Sequence, residues 1–339
     1  MRGALVLLVL FGVGCERGAS KAQFEHYGLA LGTSFSVKAT RLPPGIEPDG
    51  LKNELEGLLE TVDRQMSTYR EDSELSRFNR SIADNWQPVS EDLAKVVAAS
   101  LEISRWSGGA FDVTVGPLVN LWGFGPDPDI TEAPSDEAIE ILKARIGYDR
   151  LEVRLDPPAL KKREPEMYVD LSAIAKGFAV DLLAEHLEAL GIEDYLVEIG
   201  GEVRLKGDSP RGGAWRIALE KPVPQVRQVE KVLTLTDIAM ATSGDYRNYF
   251  EVDGKRFSHT IDPRSGRPIT HRLASVTVLS HTTMQADALA TALTVLGPRE
   301  GFAQAEKAGL SALFIVKEKE GFIEKATSAF IKQTGGGAT

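Results

Sequence analysis

One cysteine, Cys15, is all the chain contains in 339 residues. A lone thiol makes no disulfide framework and no multi-cysteine zinc site. Long hydrophobic runs are as scarce: the apolar run from Ala4 to Val13 is far shorter than the ~20 residues a membrane-spanning helix needs. Positive charge is in deficit, with 39 Lys+Arg against 49 Asp+Glu and a net charge of -10. The only tight basic cluster, Lys161-Lys162-Arg163, is too short a footprint for a nucleic-acid partner. A nucleotide substrate stays open, because local cations matter more than the sum. No internal repeat is visible, and no Pro/Gly-rich linker divides residues 25–333. With 42% hydrophobic and 26% charged residues, the composition is that of a globular protein able to bury a core. These features predict a single α+β domain.

The first residues read as a targeting segment. Arg2 precedes the Ala4–Val13 run, which ends at Gly14-Cys15, so residues 1–14 are expected to be a signal peptide. A small residue before a lone cysteine resembles a bacterial lipoprotein site, although Gly12 stands where that pattern usually has Leu. Cys15 is therefore the expected lipidation site, with residues 15–24 as lipidated N-terminus and tether and acyl chains as a membrane anchor. The alternative is a plain secretory signal. Residues 25–333 form the expected domain and 334–339 a flexible tail.

Periodicity outlines the domain. Tyr27–Ala39 reads as a strand. Leu51–Met66, Ser90–Trp106 (capped by Ser90), Ser135–Ile146 and Ser172–Leu190 read as helices, the last with Asp170 or Ser172 near its cap and Gly191 as its stop. Met167–Val169, Tyr195–Ile199, Glu202–Leu205, Trp215–Glu220 and Val232–Thr236 are expected strands. The final third alternates strand (Leu273–Leu279), helix (Thr282–Leu296), helix (Arg299–Ala308) and strand (Ser311–Val316).

Chemistry concentrates between Ser243 and Leu293. Asp287 and Thr291 lie four residues apart in a helical pattern, so a carboxylate and a hydroxyl share one face and suit a hard cation such as Mg²⁺. His259 and Asp262 flank the turn Asp262-Pro263-Arg264-Ser265-Gly266. His259 is the candidate general base, with Asp262 to orient it. The other histidines, His26, His186, His271 and His281, read as packing or surface residues. Tyr69, at a helix end, offers a stacking surface or a structural turn residue. In Gly108-Gly109-Ala110-Phe111-Asp112, the glycines allow close backbone approach, and the Phe-Asp pair offers a ring and an acceptor, or a buried aromatic and a turn carboxylate. Asp170 and Lys176 flank a helix start that favours anions. Lys176 is a phosphate ligand or a solvated lysine. Glu198-Ile199-Gly200-Gly201-Glu202 reads as an ordinary hairpin.

In this order the stretches MSTYR-DSELSRFN, GGAFDVTVGPL, DLSAIAKGFAVD, LVEIGGEVR, SGDYRNYF, SHTIDPRSGRPI and ADALATAL resemble the bacterial FAD:protein FMN transferases, the ApbE-like family, over roughly residues 25–320. The resemblance implies a compact α+β domain of intertwined subdomains and a Mg²⁺-dependent reaction. A Ser or Thr hydroxyl of an acceptor protein attacks bound FAD, FMN stays attached by a phosphoester and AMP leaves. By motif, the metal falls to the carbonyl of Ala173 with Asp287 and Thr291; Ala290 stands where some relatives have an acidic residue. FAD contacts fall to Tyr69, Ala110, Phe111, Asp112, Asp170 and the main chain of Ile261. Lys176 matches a position that is acidic in some relatives, and Leu31 replaces a usual methionine but can still offer apolar contact to the FAD. The implied partner is a membrane redox subunit, and the implied location is the periplasmic side of a bacterial membrane. Two rival functions share these residues: a Mg²⁺-dependent FAD pyrophosphatase and a flavin-binding lipoprotein without chemistry.

Overall fold

The computed structural model describes residues 24–125, 133–220, 229–244, 249–252, 255–319 and 321–335. The expectations for the leader, for Cys15 and for most of the tether and tail lie outside these residues, as do residues 245–248 of the SGDYRNYF stretch. Eight strands form one sheet, and their order across it is their order along the chain. They are β1 (Phe24–Ala30), β2 (Thr33–Ala39), β3 (Tyr195–Ile199), β4 (Glu202–Lys206), β5 (Ile238–Gly244), β6 (Leu273–Ser280), β7 (Ser311–Glu318) and β8 (Gly321–Ala326). Every neighbouring pair is antiparallel.

The helices are insertions in this meander. Between β2 and β3 come α1 (Pro48–Met66), α2 (Glu74–Asn79), α3 (Glu91–Trp106), α4 (Gly116–Leu121), α5 (Asp136–Lys143) and α6 (Ala175–Ala189). Helix α7 (Thr283–Lys307) joins β6 to β7, and α8 (Ser328–Gln333) follows β8. Helices α1 and α6 bury Leu55, Val62, Val180 and Leu183 in one core with Val37 and Val197 of the sheet. Helix α7 lays Ala286, Leu289 and Leu293 on Ala241, Val276 and Val278. The hairpin Trp215–Glu220/Val229–Leu235 packs Trp215 and Leu233 against Leu205 and Phe330 in a separate core. Among the described residues, no helix is long and apolar enough to cross a membrane.

Several expected elements change. The strand Tyr27–Ala39 is the hairpin β1–β2, turning at Leu31 and Gly32, whose φ values are 51° and 74°. Two successive positive φ angles match the twist of the flanking strands, but Leu-Gly lacks the Asn-Gly or Asp-Gly signature by which such a turn is recognised. Helix α6 starts at Ala175 with Ile174 as a cap that makes no side-chain bond. Asp170 instead closes its own turn, accepting from the Ser172 N–H at 2.8 Å. The two helices expected after Thr282 are one element, broken at Gly297 (φ 81°) before Pro298. Strand β5 went unseen because its first four residues, Ile238 to Ala241, are all buried, which leaves no alternation to detect.

Residues 167–169 are not a strand; a side chain replaces the ladder. Asn79 donates Nδ2–H to the Val169 carbonyl at 2.9 Å and accepts from the Val169 N–H at 2.8 Å. Lys162, 1% exposed, donates Nζ–H to the carbonyls of Asn79 and Met167. Together they hold the approach to Asp170. Asn79→Ala leaves both Val169 groups without partners and is expected to cost about 2 kcal/mol, read as a lower urea midpoint at unchanged slope.

Candidate active site

The first turns of α6 and α7 meet in contact. A Cβ on Gly177 would lie 2.5 Å from the Thr283 carbonyl oxygen, so only glycine allows this crossing. Asp287 then reaches back from α7, and its Oδ2 accepts the Gly177 N–H at 3.1 Å. Beside this crossing opens a cavity of about 750 Å³, within the usual range for small-molecule sites of roughly 300–1,000 Å³. Lys176, Asp287 and Thr291 line it from the two helices, and Ala173 from the turn just before α6. Thr242 to Gly244 line it from the end of β5, and Glu202 from the start of β4.

Other segments complete the wall. Tyr69, after α1, stands at the rim with 74% of its surface exposed. Ala110, Phe111 and Asp112, after α3, and Asp170, before α6, line the cavity. His259 and Ile261 line it as well. Their segment is docked by Trp122, whose Nε1–H donates to the Gly266 carbonyl at 2.9 Å, and by Ile261 packing with Leu118 and Ile139. The His259 ring meets Phe124 edge-on at 6.2 Å.

Charge at the crossing is tightly coupled. Lys176 Nζ donates to Glu202 Oε1 at 2.5 Å, while Glu202 Oε2 is buried without a hydrogen-bond partner. Burial raises the pKa of Asp287, opposed by Lys176 and the Gly177 N–H. Burial and then the Asp287 charge push Glu202 up to about 7 against the pull of Lys176. Burial alone would depress Lys176, but Asp287 and Glu202 together raise it. Two buried carboxyls thus face one ammonium, and their raised pKa values mean that a proton or a second cation completes the balance. The oxygen donors Asp287 and Thr291, with the Ala173 carbonyl, have the hard character that Mg²⁺ takes. No group of three or more His, Cys, Asp or Glu side chains is assembled for a metal among the described residues, so these residues fit a Mg²⁺ that keeps several waters.

The ApbE family model matches residues 31–314. The chain belongs to the ApbE family. A Vibrio cholerae protein named FAD:protein FMN transferase is 47% identical, over 97% of this chain and 98% of its own length. An Escherichia coli protein of the same name is 41% identical, over 95% and 93%. The solved flavin transferase ApbE of Vibrio cholerae superposes with a TM-score of 0.85 at 46% identity, covering 92% of this chain and 99% of that one. The apo flavinyl transferase ApbE of Pseudomonas stutzeri gives 0.85 at 44% identity, covering 94% and 98%.

Within this ApbE fold, some roles read from the sequence shift. Leu31 is part-buried in the β1–β2 turn against the main core and is not among the residues lining the cavity. Asp262 was assigned to orient His259, but its carboxylate is engaged by Arg264, accepting from Nε and Nη2 at 3.0 Å each. It braces the turn instead. Phe111 is 2% exposed and belongs to the core, so it offers little free stacking face. Asp112 accepts from the Thr114 N–H and Oγ1–H and from the Tyr148 N–H, which makes its carboxylate chiefly a brace for that loop. Glu202 was read as part of an ordinary hairpin. A lone acidic residue at a strand start carries no signal until that start is seen to lie beside Lys176.

The Glu202 shift has a consequence for stability. In the unfolded chain this carboxyl titrates near 4.5, and in the folded one near 7. Between these values the folded state binds the proton more tightly, so metal-free protein loses stability as pH rises through that window. Urea unfolding across pH 4.5–7 should therefore show a falling midpoint, and Glu202→Gln should flatten much of the fall. An equally steep fall in the variant would assign it to other groups.

Proposed function

We propose that this chain transfers FMN from FAD to a Ser or Thr hydroxyl of an acceptor protein, releasing AMP, with Mg²⁺ held by the Ala173 carbonyl, Asp287 and Thr291. The observation that carries the reading is the convergence of a buried carboxylate, a hydroxyl, a lysine and an imidazole on one cavity. Names of relatives at 41–47% identity over nearly the whole chain support it. In the reaction the acceptor oxygen bonds to the FMN phosphorus, and the pyrophosphate P–O bond to AMP breaks. Bound Mg²⁺ would neutralise phosphate charge that otherwise repels the nucleophile, and would polarise the phosphoryl oxygens.

The chain's own residues do the rest. Lys176, held by Glu202, presents its ammonium to phosphate oxygens. An imidazole nitrogen of His259 takes the proton of the acceptor hydroxyl. Tyr69 at the rim covers the isoalloxazine ring and slows its escape to water, which favours transfer over hydrolysis. The proposal extends to location: export through residues 1–14 and lipid anchoring at Cys15, on the periplasmic side of a bacterial membrane, with a membrane redox subunit as acceptor. The Ala4–Val13 run ending at Gly14-Cys15 supports this.

The test is incubation of residues 16–339 with FAD, Mg²⁺ and a candidate acceptor subunit. The expected outcome is a fluorescent acceptor band on a denaturing gel with matching AMP, both dependent on Mg²⁺. AMP with free FMN and no band, across several acceptors, would make the chain a hydrolase. Asp287→Ala should abolish the Mg²⁺-dependent turnover, and His259→Ala should slow transfer by roughly 10²–10⁴-fold while retaining FAD. Near-normal transfer by either variant would remove that residue from the mechanism.

A further inference from the structure

Helix α7 is capped by a residue that does not belong to it. A helix begins with four backbone N–H groups that lack intrahelical partners. In α7 the local cap Thr282 takes one, its Oγ1 accepting from the Gln285 N–H at 3.3 Å. The first two are taken by Asp181 of α6, whose Oδ1 accepts from Thr283 N–H and Oδ2 from Met284 N–H, both at 2.9 Å. In the opposite direction, Asp287 of α7 accepts the Gly177 N–H in the first turn of α6. Each helix thus lends a carboxylate to the start of the other. Asp181 is 5% exposed, and its charge is met by Arg204, whose Nη1 donates to Oδ1 at 3.1 Å. Arg204 stands on β4, the strand whose first residue, Glu202, holds Lys176.

We propose that Asp181 is a positioning residue: by capping α7 from α6 it fixes Asp287 and Thr291 relative to the Ala173 carbonyl and thereby sets the affinity for the divalent cation. This rests on the Mg²⁺ reading given above. Helix α7 cannot slide along α6 without breaking two hydrogen bonds to a carboxylate, one buried and one part-buried. Mg²⁺ demands near-ideal geometry at about 2.1 Å, so a small slide at the crossing is felt at the metal. Arg204 holds the Asp181 carboxylate in this aim through its Nη1 hydrogen bond, which extends the same brace to β4.

The test uses Mn²⁺ as an oxygen-preferring stand-in for Mg²⁺. Its binding to the FAD-free protein is read from loss of the free-ion paramagnetic signal, and Mg²⁺ is then added as competitor. Asp181→Asn keeps the shape but turns an amide NH₂ toward one of the α7 amides, and is expected to weaken both ions about tenfold or more. Thr282→Ala removes the local cap of the same helix and is expected to lower the melting temperature with less than a twofold change in affinity. Should Asp181→Asn fail to fold, Arg204→Met serves instead, with an expected loss of roughly threefold. Wild-type affinity in folded Asp181→Asn, or in Arg204→Met when that variant serves, would overturn the inference. Equal weakening by Thr282→Ala would overturn it too, by assigning the effect to general loosening of α7. A wild-type protein that binds neither ion would instead defeat the Mg²⁺ reading itself.

Discussion

The close crossing of α6 and α7 at Gly177 is the constraint on which the site depends. Without a side chain there, the backbone of α6 reaches the Thr283 carbonyl of α7, and the two helix starts share one space. Four of the residues that line the cavity, Ala173, Lys176, Asp287 and Thr291, are brought together by that contact. Helix starts carry free N–H groups and partial positive charge, which the reciprocal carboxylates Asp181 and Asp287 answer. A helix-packing event and an electrostatic event are thus the same event.

The sheet supplies the frame around this crossing. Because β1 to β8 follow one another across it, the cavity draws on segments far apart in sequence. Insertions between β2 and β3 contribute Tyr69, Ala110 and Asp170, the connection between β5 and β6 contributes His259, and the one between β6 and β7 contributes Asp287. Buried carboxylates are costly unless paired, and the Lys176–Glu202–Asp287 group is one ammonium short of balance. Under the function proposed above, a bound cation would restore that balance and recruit phosphate.

Much of the helical frame was legible in the sequence, since Ser90 caps where its spacing predicted, the helix expected from Ser135 is there, and the break at Gly297-Pro298 separated the two halves of α7. The β1–β2 turn was not, because Leu31 adopts a left-handed φ that its side chain does not advertise. Strand β5 was hidden by its uniform burial. Of the residues that line the cavity, Asp287 and Thr291 on one helix face and Ala110 after the Gly108-Gly109 pair had been singled out by local pattern. Glu202 was missed, Asp262 turns to Arg264 rather than to His259, and Leu31 does not line the cavity.

The sequence by itself determined which residue types stand at which spacing: the Asp287–Thr291 face, the glycines that permit close approach, the acidic balance of the chain. Those are properties of neighbours along the chain, fixed by helical period and side-chain chemistry. Only the tertiary structure decided where each carboxylate spends its hydrogen bonds. Asp262 is taken by Arg264, Asp112 by Thr114 and Tyr148, and Asp181 by the amides of α7. Glu202 is left half-satisfied in the cavity. An acidic side chain has the same chemistry in all four places, and its role follows from which donors folding brings within about 3 Å of it.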